Sequence, residues 1–479
     1  MSASPAPRLQ CPASDAVSAH AVTALAARFG AQLHTGLAVR QQHGAGEGYA
    51  DPVPPEAVLF ATSTEDVAAA VKICAAHQFP IIGYGAGTSL EGQLQAIAGG
   101  LCMDFSSMNA VLQVNAADLD CRVQAGVTRE ALNAHLRDHG LFFPLDPGAN
   151  ASIGGMAATR ASGTNAVRYG TMREVTLGLT VVTPAGDTIH TGTRARKSAA
   201  GYDLTRLYVG SEGTLGLITE IQLRLFGIPE TVASAVCQFE TLEGAIATVT
   251  DAMQCAIPLA RIELLDAVQM AACIAYSKLD EFAASPTLFL EFHGTKAGTA
   301  EQIETISALA ADHGGSAFRF ATRTEDRTRL WKARHNAYYA AKALKPGGFA
   351  FATDACVPLS RLAEAIAETR AEIAEAGMVA PLVGHVGDGN FHMLLLFDPH
   401  NATERATAER IAQSVAFRAI RMGGTCTGEH GIGLHKLDAL REEHGQAVEI
   451  MATIKRALDP LNIMNPGKTV PLGTAVAHR

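Results

Sequence analysis

The sequence predicts an α+β fold with more than one domain, and three observations support this prediction. The chain has 479 residues, well above the roughly 150 residues that one hydrophobic core organises. Beyond residue 230, strand-like runs alternate with amphipathic helical patterns. Before that point, capped helices and short apolar strands are separated by glycine-rich loops. We therefore expect an antiparallel sheet with helices on one face in the second half of the chain.

Composition excludes several classes of function. The chain is 48% hydrophobic and 18% charged, and its formal net charge of −9 argues against a nucleic-acid partner. It has no apolar run long enough to span a membrane, and its N-terminus lacks the apolar core of a secretory signal. Nine cysteines without a C-x-x-C motif indicate free thiols in a reducing compartment and no iron–sulfur cluster. We expect a cytoplasmic protein and leave peripheral contact with the inner membrane open.

The first part of the chain contains recognisable helix and strand signals. Ser63 and Asp66 form an S-x-x-D cap for a helix that must end before Pro80, and residues 80–84 form a short strand. A second capped helix follows Thr128 and closes at Gly140. Residues 141–170 show almost no helical or strand period, which is typical of a functional loop. Three strands are predicted after them, over 175–182, 188–190 and 215–226.

The second part follows a different rhythm. Strands are predicted over 232–239, 259–265, 287–293, 316–321 and 348–357. Helices are predicted over 241–254, 299–313, 360–376, 402–422 and 437–458. The tail NIMNPGKTV has too little apolar surface to stand alone, so we expect it to return to the first domain. The predicted domains are residues 1–228 and 229–429, and residues 430–479 form a last segment that completes the first domain. We expect the active site in the crevice between the first and the second domain.

The run PIIGYGAGTSLEG at 80–92 places glycines at alternate positions after a strand. Such backbone N–H groups can form an anion nest, and Thr88 and Ser89 add hydroxyl donors. The run lacks the lysine of a P-loop, and Thr88 stands where a Rossmann fingerprint needs glycine. Alone it fits a glycine-rich turn equally well. A second glycine-rich stretch about 60 residues later changes this, because two non-helical loops can line one extended ligand.

The run HVGDGNFH at 385–392 gives the sharpest chemical signal. Gly387 and Gly389 argue against a helix, and Asp388-Gly389 indicates a hairpin that brings His385 and His392 together. Glu429, in the run GEHG, supplies a third ligand. Two imidazoles and a carboxylate leave open positions on Zn²⁺ or Mn²⁺, with Fe²⁺ as a third option. A single such histidine is more simply a turn or core residue, but the two motifs together favour a catalytic metal.

Arg334 lies in a helical stretch, WKARHNAYY. Its planar guanidinium suits a bidentate contact with a substrate carboxylate. On spacing alone, a surface arginine on an amphipathic helix is the simpler interpretation.

The two glycine-rich runs and the run GSEGTLGLIT at 210–219 resemble the FAD domain of the vanillyl-alcohol-oxidase (PCMH-type) flavoprotein superfamily. The resemblance implies two α+β subdomains that clasp the flavin, followed by an α+β cap domain with an antiparallel sheet. The positions that it assigns to FAD are Gly83, Gly85, Ala86, Gly87, Thr88, Ser89, Pro147, Gly148, Ser152, Gly154, Gly155, Ser162, Gly163, Ala166, Tyr169, Gly170, Glu212, Gly213, Gly216, Ile218 and Asn465. Since the first loop has neither the His nor the Cys that tethers FAD in some relatives, we expect non-covalent FAD.

The histidine and GEHG motifs resemble the branch that contains D-lactate, glycolate and D-2-hydroxyglutarate dehydrogenases. This implies that His385, His392 and Glu429 hold the metal, that His430 is the base, and that Asn390 contacts substrate or flavin. It also implies that Arg334 binds the substrate carboxylate.

The hydroxyglutarate enzymes carry a lysine in the strand matching 349–357, and this sequence does not. A short monocarboxylic acid is therefore favoured, with D-lactate as the best guess. A glycolate oxidase subunit, a hydroxyglutarate-type dehydrogenase and a non-enzymatic flavin-binding module stay as alternatives.

The resemblance also implies a mechanism. The metal would bind the 2-hydroxyl and carboxylate and lower the pKa of the hydroxyl. His430 would take the hydroxyl proton, since an imidazole has an unperturbed pKa of about 6.5, and a hydride would pass from C2 to the flavin. The electron acceptor stays open between a cytochrome, a quinone, an electron-transfer flavoprotein and oxygen. A homodimer is among the open oligomeric states.

Overall fold

The computed structural model describes residues 15–44, 46–48 and 52–472. Predictions about Cys11 and the first 14 residues lie outside this range. The helices, numbered along the chain, are α1 Asp15–Phe29, α2 Leu37–Gln42, α3 Thr64–Ala76, α4 Arg129–Leu136, α5 Ile153–Thr159, α6 Ala166–Tyr169, α7 Met172–Val175, α8 Leu204–Tyr208, α9 Leu242–Gln254, α10 Ala267–Ser277, α11 Lys296–Asp312, α12 Thr324–His335, α13 Ala337–Ala343, α14 Leu362–Glu375, α15 Ala402–Arg421, α16 Leu437–His444 and α17 Ala447–Leu458.

The strands are mostly short. They are β1 Leu33–His34, β2 Ala57–Phe60, β3 Ile81–Tyr84, β4 Leu101–Asp104, β5 Val111–Asn115, β6 Asp120–Gln124, β7 Leu141–Phe142, β8 Thr176–Val182, β9 Thr188–Gly192, β10 Leu217–Arg224, β11 Phe226–Gly227, β12 Thr231–Phe239, β13 Leu259–Leu265, β14 Thr287–Gly294, β15 Gly315–Ala321, β16 Phe349–Ala352, β17 Ala355–Cys356, β18 Leu382–His385 and β19 Asn390–Phe397.

The chain divides into two units. The first comprises the described parts of Met1–Ser162, Thr171–Gly227 and Glu429–Arg479, and the second comprises Gly163–Gly170 and Ile228–Gly428. The predicted boundaries differ in detail, because residues 163–170 were assigned to the first domain and Glu429 to the second.

The first unit contains two main sheets. One has the order β1-β2-β4-β3, with β4 parallel to both β2 and β3. The other has the order β5-β6-β10-β8-β9 and is antiparallel throughout. Helix α3 begins at the predicted cap, where Ser63 Oγ accepts a hydrogen bond from Asp66 N, and it buries Val67 and Val71. The predicted cap of α4 at Thr128 is also confirmed.

The second unit is built on an antiparallel sheet with the order β15-β12-β14-β13-β18-β19-β16, and β17 pairs with β19. Two successive residues of β14 belong to different hydrophobic cores. Leu290 is in the core that contains residues of α9 and α11, and Phe289 is in the core that contains residues of α10 and α12. Since successive side chains of a strand point to opposite faces, helices cover both faces of this sheet. The prediction of helices on one face was therefore wrong. The predicted α+β class and antiparallel sheet are confirmed.

Three predicted elements have different bounds. Residues 141–170 contain the helices α5 and α6, so this stretch is less irregular than expected. The strand predicted over 348–357 is two short strands, because the hydroxyl of Thr353 accepts the backbone N–H of Met393 (2.9 Å) in place of a ladder bond. The helix predicted over 437–458 is α16 and α17, because Gly445 adopts a φ of 50°, which an α-helix does not allow.

Within the described part of the chain, no helix is both long enough and apolar enough to cross a bilayer. All eight described cysteines are free thiols, as predicted for them.

A buried histidine–aspartate pair in the first unit predicts a pH-dependent stability. His43 Nε2 lies 2.8 Å from Asp104 Oδ2, and both side chains are almost fully buried. Burial lowers the pKa of His43, but the hydrogen bonds to Asp104 and to the Val39 carbonyl outweigh this and raise it above its ordinary value. The pair therefore stabilises the protein fully below a pH of about 6.5 and loses this effect as the pH rises through the raised pKa.

His43→Gln should lower the free energy of unfolding by about 1.5–3 kcal/mol at low pH, as for a hydrogen bond to a charged group. The deficit should shrink as the pH rises, which urea unfolding at several pH values measures. The exposed His20 provides the control substitution, His20→Gln. A loss of unfolding free energy that does not change with pH would contradict a stabilising role of the protonated His43.

Candidate functional site

The three segments predicted to bind FAD meet within the first unit. A Cβ atom added to Gly85 would lie 2.1 Å from Ser152 Oγ, and one added to Gly83 would lie 3.4 Å from Leu217 Cδ2. The end of β3 therefore lies against β10, and the loop after β3 lies against the start of α5. These contacts join residues that are far apart in sequence. The fold therefore brings together the three segments that the sequence motifs predicted to share one ligand.

The second glycine-rich segment is partly helical, which corrects the prediction of two non-helical loops. Ser152 caps α5 by accepting a hydrogen bond from Gly155 N. Gly154 lies inside α5 and donates its N–H to the Ala125 carbonyl at 2.8 Å. The glycines here serve close packing of a helix on β6 and its following turn.

The first and third segments fit a polar cofactor. The hydroxyls of Ser89 and Ser211 are buried and have no hydrogen-bond partner among the described residues. A buried hydroxyl without a partner is costly. The phosphate and ribityl groups of FAD offer many hydrogen-bond acceptors. These two buried hydroxyls, on segments that converge, could therefore donate hydrogen bonds to FAD.

Two residues assigned to FAD, Glu212 and Asn465, also hold the C-terminal segment. The carboxylate of Glu212 accepts hydrogen bonds from Ile432 N (2.7 Å), Gly433 N (2.8 Å) and Thr469 Oγ1 (2.8 Å). Burial raises the pKa of Glu212 against the effect of these bonds. Asn465 Nδ2 donates to the carbonyl of Glu212 at 2.8 Å. Their side chains thus fix the tail within the first unit.

The remaining positions assigned to FAD fall in both units. In the second unit, Tyr169 places its hydroxyl 2.7 Å from His293 Nδ1. In the first unit, Ser162 donates to Glu429 Oε2 at 2.7 Å. Ile218 lies in β10. The others lie in the described loops and helix starts of their units: Ala86, Gly87, Thr88, Pro147, Gly148, Gly163, Ala166, Gly170, Gly213 and Gly216. Their contact with FAD stays a prediction.

Gly154→Ala tests the packing at this segment. The new Cβ would lie 2.6 Å from Ala125 Cβ, too close for real carbon atoms, so α5 must shift. We expect a loss of about 1–3 kcal/mol in stability, as for an overpacked core, and a lower FAD content in the purified protein. Thermal unfolding and the flavin-to-protein absorbance ratio measure these effects.

The control is Gly227→Ala, because nothing lies within 4 Å of the Cβ added there. Unchanged FAD content and melting temperature in Gly154→Ala would show that α5 tolerates displacement.

The predicted histidine hairpin is confirmed in the second unit. Strands β18 and β19 are antiparallel, with His385 opposite Asn390 and Val383 opposite His392. Gly389 closes the turn with a φ of 77°, which favours glycine. His385 and His392 are diagonal neighbours on one face, and their ring centroids are 5.3 Å apart.

Both histidines use Nδ1 for a hydrogen bond within the protein. His392 Nδ1 lies 2.8 Å from the Thr353 carbonyl, and His385 Nδ1 lies 2.7 Å from Glu263 Oε1. A carbonyl or carboxylate oxygen only accepts, so Nδ1 carries the proton in each ring. The neutral tautomer then has its lone pair on Nε2, which is how metal-binding histidines are held. This donor set fits a divalent metal.

The loop that precedes Glu429 is held beside the hairpin. A Cβ on Gly428 would lie 2.3 Å from Asn390 Nδ2 and 3.1 Å from Asp354 Oδ1, and Thr427 Oγ1 donates to Asp354 Oδ2 at 2.7 Å. Glu429 is the next residue, about 3.8 Å further along the backbone. Asp354 thus holds the loop that ends at Gly428, immediately before the predicted third ligand.

The side-chain amide of Asn390 has only its acceptor oxygen, Oδ1, available to a ligand. Its Nδ2 donates to Asp354 Oδ1 (2.8 Å) and to the Ala355 carbonyl (2.9 Å). These two bonds use both amide protons, so only Oδ1 remains. A contact between Asn390 and substrate or flavin must therefore involve a donor, such as a hydroxyl, and not a carboxylate.

Arg334 lies in α12 and is held by a carboxylate. Its Nε and Nη2 lie 2.9 and 2.8 Å from Glu263 Oε2. Burial tends to raise the pKa of Glu263, but His385 and Arg334 outweigh this and hold it below its ordinary value. Glu263 is therefore an anion between a guanidinium and a histidine.

In the first unit, His430 lies beside the buried carboxylate of Glu91. His430 Nδ1 is 3.6 Å from Glu91 Oε1, and Lys436 Nζ is 3.0 Å from the same oxygen. Burial tends to raise the pKa of Glu91, but Lys436, His430 and His435 hold it well below its usual range. Gln93 Nε2 also donates to the His430 carbonyl at 2.8 Å. The predicted base thus has its Nδ1 beside a buried carboxylate.

Sequence analysis missed three buried acids, Glu91, Glu263 and Asp354. Glu263 and Asp354 are the only acids in the predicted strands 259–265 and 348–357, which are mostly apolar. An unpaired acid in such a run is expensive, so the isolated charge was a signal that a partner exists. It could not identify the partner.

Comparison with known proteins agrees with this geometry. Residues 55–192 match the FAD binding domain family, and residues 228–469 match the C-terminal domain of FAD linked oxidases. The chain is 51% identical to the probable mitochondrial D-lactate dehydrogenase of Danio rerio over 92% of this chain and 89% of the relative. It is 47% identical to the mitochondrial D-lactate dehydrogenase [cytochrome] of Arabidopsis thaliana, over 87% and 74% of the two chains.

Among solved structures, p-cresol methylhydroxylase with substrate bound superposes with a TM-score of 0.77 at 17% identity, covering 96% of this chain and 98% of the other. The PCMH-type fold is thus confirmed. The fold and the family matches define the class of the protein as an FAD-dependent oxidoreductase. The chain belongs to the FAD-linked oxidases.

Proposed function

We propose that this protein is a metal- and FAD-dependent dehydrogenase that oxidises D-lactate to pyruvate. One observation carries the proposal: the predicted carboxylate-binding Arg334 and the predicted metal ligand His385 share the carboxylate of Glu263. A guanidinium beside a metal-binding imidazole suits a substrate that has a carboxylate next to a hydroxyl. The D-lactate dehydrogenase names of the relatives support D-lactate as that substrate.

The size of the substrate follows from the hairpin region. Strands β16 and β17 contain no lysine or arginine, and the buried Asp354 between them is bonded to Asn390 and Thr427. A second substrate carboxylate would find no cation here and would meet a negative charge. This supports a monocarboxylic acid over a dicarboxylic acid.

The residues of this chain divide the work. In the proposal, His385, His392 and Glu429 hold a divalent metal, which polarises the 2-hydroxyl when bound. Bound FAD supplies the two-electron acceptor for the C2 hydride. The free end of the Arg334 guanidinium binds and orients the substrate carboxylate. His430, whose Nδ1 lies beside Glu91, accepts the hydroxyl proton at Nε2.

Anaerobic flavin reduction tests the proposal. The holoenzyme is mixed with D-lactate, L-lactate, glycolate or D-2-hydroxyglutarate, and bleaching of the oxidised flavin is followed. D-lactate should reduce the flavin fastest. Faster reduction by glycolate, or activity only with co-expressed neighbouring proteins, would favour the glycolate oxidase alternative, and reduction by none of these acids would refute dehydrogenase function.

The electron acceptor and the location of the protein are part of the same proposal. The word cytochrome in the name of the Arabidopsis relative supports a cytochrome as acceptor, which reoxidation of the D-lactate-reduced enzyme by cytochrome c would test. The cytoplasmic location and the oligomeric state stay predictions.

A further inference from the structure

The carboxylate of Glu263 connects two groups that have separate roles in the proposed function. Its Oε1 lies 2.7 Å from His385 Nδ1, and its Oε2 lies 2.9 Å from Arg334 Nε. The side chain of Glu263 is only 1% exposed, so water does not compete for these bonds. The three residues belong to β13, α12 and β18 of the second unit.

Glu263 determines which edge of the Arg334 guanidinium remains available. Nε and Nη2 both donate to Glu263 Oε2. No hydrogen bond from Nη1 exists among the described residues, and the side chain is 17% exposed. Since a guanidinium has five N–H donors in a fixed plane, the Nη1–Nη2 edge is left to receive a carboxylate with two parallel bonds.

Glu263 also determines which nitrogen of His385 can bind a metal. An ionised carboxylate accepts the Nδ1 proton and so places the lone pair on Nε2. The same contact fixes the rotation of the ring. Carboxylates that bond to metal-binding histidines typically change metal affinity by 10–100-fold when they are removed.

We propose that Glu263 is a positioning residue that sets metal affinity through His385 and substrate affinity through Arg334. This inference rests on the proposed function, because it assumes that His385 binds metal and Arg334 binds the substrate carboxylate. Glu263 itself touches neither metal nor substrate. Its single carboxylate couples two binding steps that would otherwise be independent.

Glutamine at this position separates the two contacts. It offers one acceptor oxygen and one NH₂ group. If the oxygen faces Arg334, the NH₂ group faces His385 Nδ1 and selects the tautomer with the proton on Nε2, which cannot bind metal. If the oxygen faces His385, the NH₂ group faces the guanidinium and releases Arg334. Glu263→Gln must therefore impair one of the two properties.

The neighbouring strand provides a matched control. Glu291 of β14 lies opposite Arg261 of β13, is 7% exposed, and also bridges a histidine and an arginine. Its Oε1 is 2.9 Å from His293 Nε2, and its Oε2 is 3.5 Å from Arg261 Nη1. Glu291→Gln removes a bridge of the same kind from the same sheet without contacting His385 or Arg334.

The experiment measures Mn²⁺ affinity of the full-length, FAD-loaded protein by equilibrium dialysis after chelator treatment, and KM and kcat for D-lactate at saturating Mn²⁺. Glu263→Ala should weaken Mn²⁺ binding by about 10–100-fold and raise KM. Glu263→Asp, which keeps the charge, should recover part of both losses. Glu291→Gln should bind Mn²⁺ like the parent.

A double substitution shows whether Glu263 acts through Arg334. The KM of Glu263→Ala/Arg334→Ala should be no higher than that of Arg334→Ala, because the arginine that Glu263 orients is already gone. Circular dichroism and flavin content verify that each variant is folded. If Glu263→Ala fails to fold, Glu263→Gln carries the test.

Two results would overturn the inference in distinguishable ways. If His385→Ala loses Mn²⁺ while folded Glu263→Ala and Glu263→Gln keep both Mn²⁺ affinity and KM within about twofold of the parent, Glu263 is only structural and the proposed function stands. If His385→Ala itself binds Mn²⁺ like the parent, the proposed metal site is wrong and this inference falls with it.

Discussion

His385→Ala is expected to remove the bound metal and nearly all turnover while the flavin stays in place. The imidazole is one of two on the β18–β19 hairpin, and its Nδ1 is held by Glu263, which leaves Nε2 to face the proposed metal. A metal that polarises the hydroxyl contributes several kcal/mol to the transition state, which corresponds to at least about a 10²-fold loss of kcat. Excess D-lactate should not restore the rate.

The measurement combines metal analysis with flavin absorbance and steady-state kinetics. His400→Ala is a suitable control, because His400 is exposed in the turn before α15. Chelator-treated parent enzyme should lose activity in the same way and regain it on addition of Zn²⁺ or Mn²⁺. Undiminished turnover by enzyme shown to be free of metal would eliminate the metal from the mechanism.

His430→Ala is expected to keep metal and FAD but to lower kcat by about 10²–10⁴, the usual range for loss of a general base. The structure supports this choice because the buried, ionised Glu91 lies beside Nδ1 of the ring. A ring that already lies in this position does not need to reorient before it accepts a proton. KM should change much less than kcat, because His430 is not expected to bind the carboxylate.

Single-turnover flavin reduction separates the chemical step from later electron transfer. His444→Ala provides a control in α16, outside the proposed site. If His430→Ala reduces its flavin as fast as the parent, the proton goes to another group. If it loses metal as well, then the residue supports Glu429 and its role as a base is unproven by this variant.

Local signals in the sequence were sufficient to predict many of the helix caps, turns and strand bounds of this protein. The cap at Ser63, the turn at Asp388-Gly389 and the bounds of β13 depend on residues within a few positions of each other, and these predictions are confirmed. The same holds for the histidine hairpin, since a two-strand turn with a fixed register determines which side chains share a face.

Local reasoning failed where a distant group decides the structure. The glycines of α5 look like loop residues, but Gly154 packs against Ala125 and Ser152 supplies a cap, so the segment becomes helical. The strand over 348–357 breaks because the Thr353 hydroxyl takes a backbone proton from β19. Helices cover the second face of the large sheet because α10 and α12 bury residues of alternating strand positions.

The amino-acid sequence by itself determined the family and the α+β class, and it predicted the groups proposed to carry the chemistry: two imidazoles, a carboxylate, a base and an arginine. Only the tertiary structure decided how those groups are oriented. Glu263 and Arg334 are 71 positions apart, and Glu91 and His430 come from opposite ends of the chain. The physical reason is that a buried carboxylate must find its partners in space, and its position in the sequence does not say which ones they are.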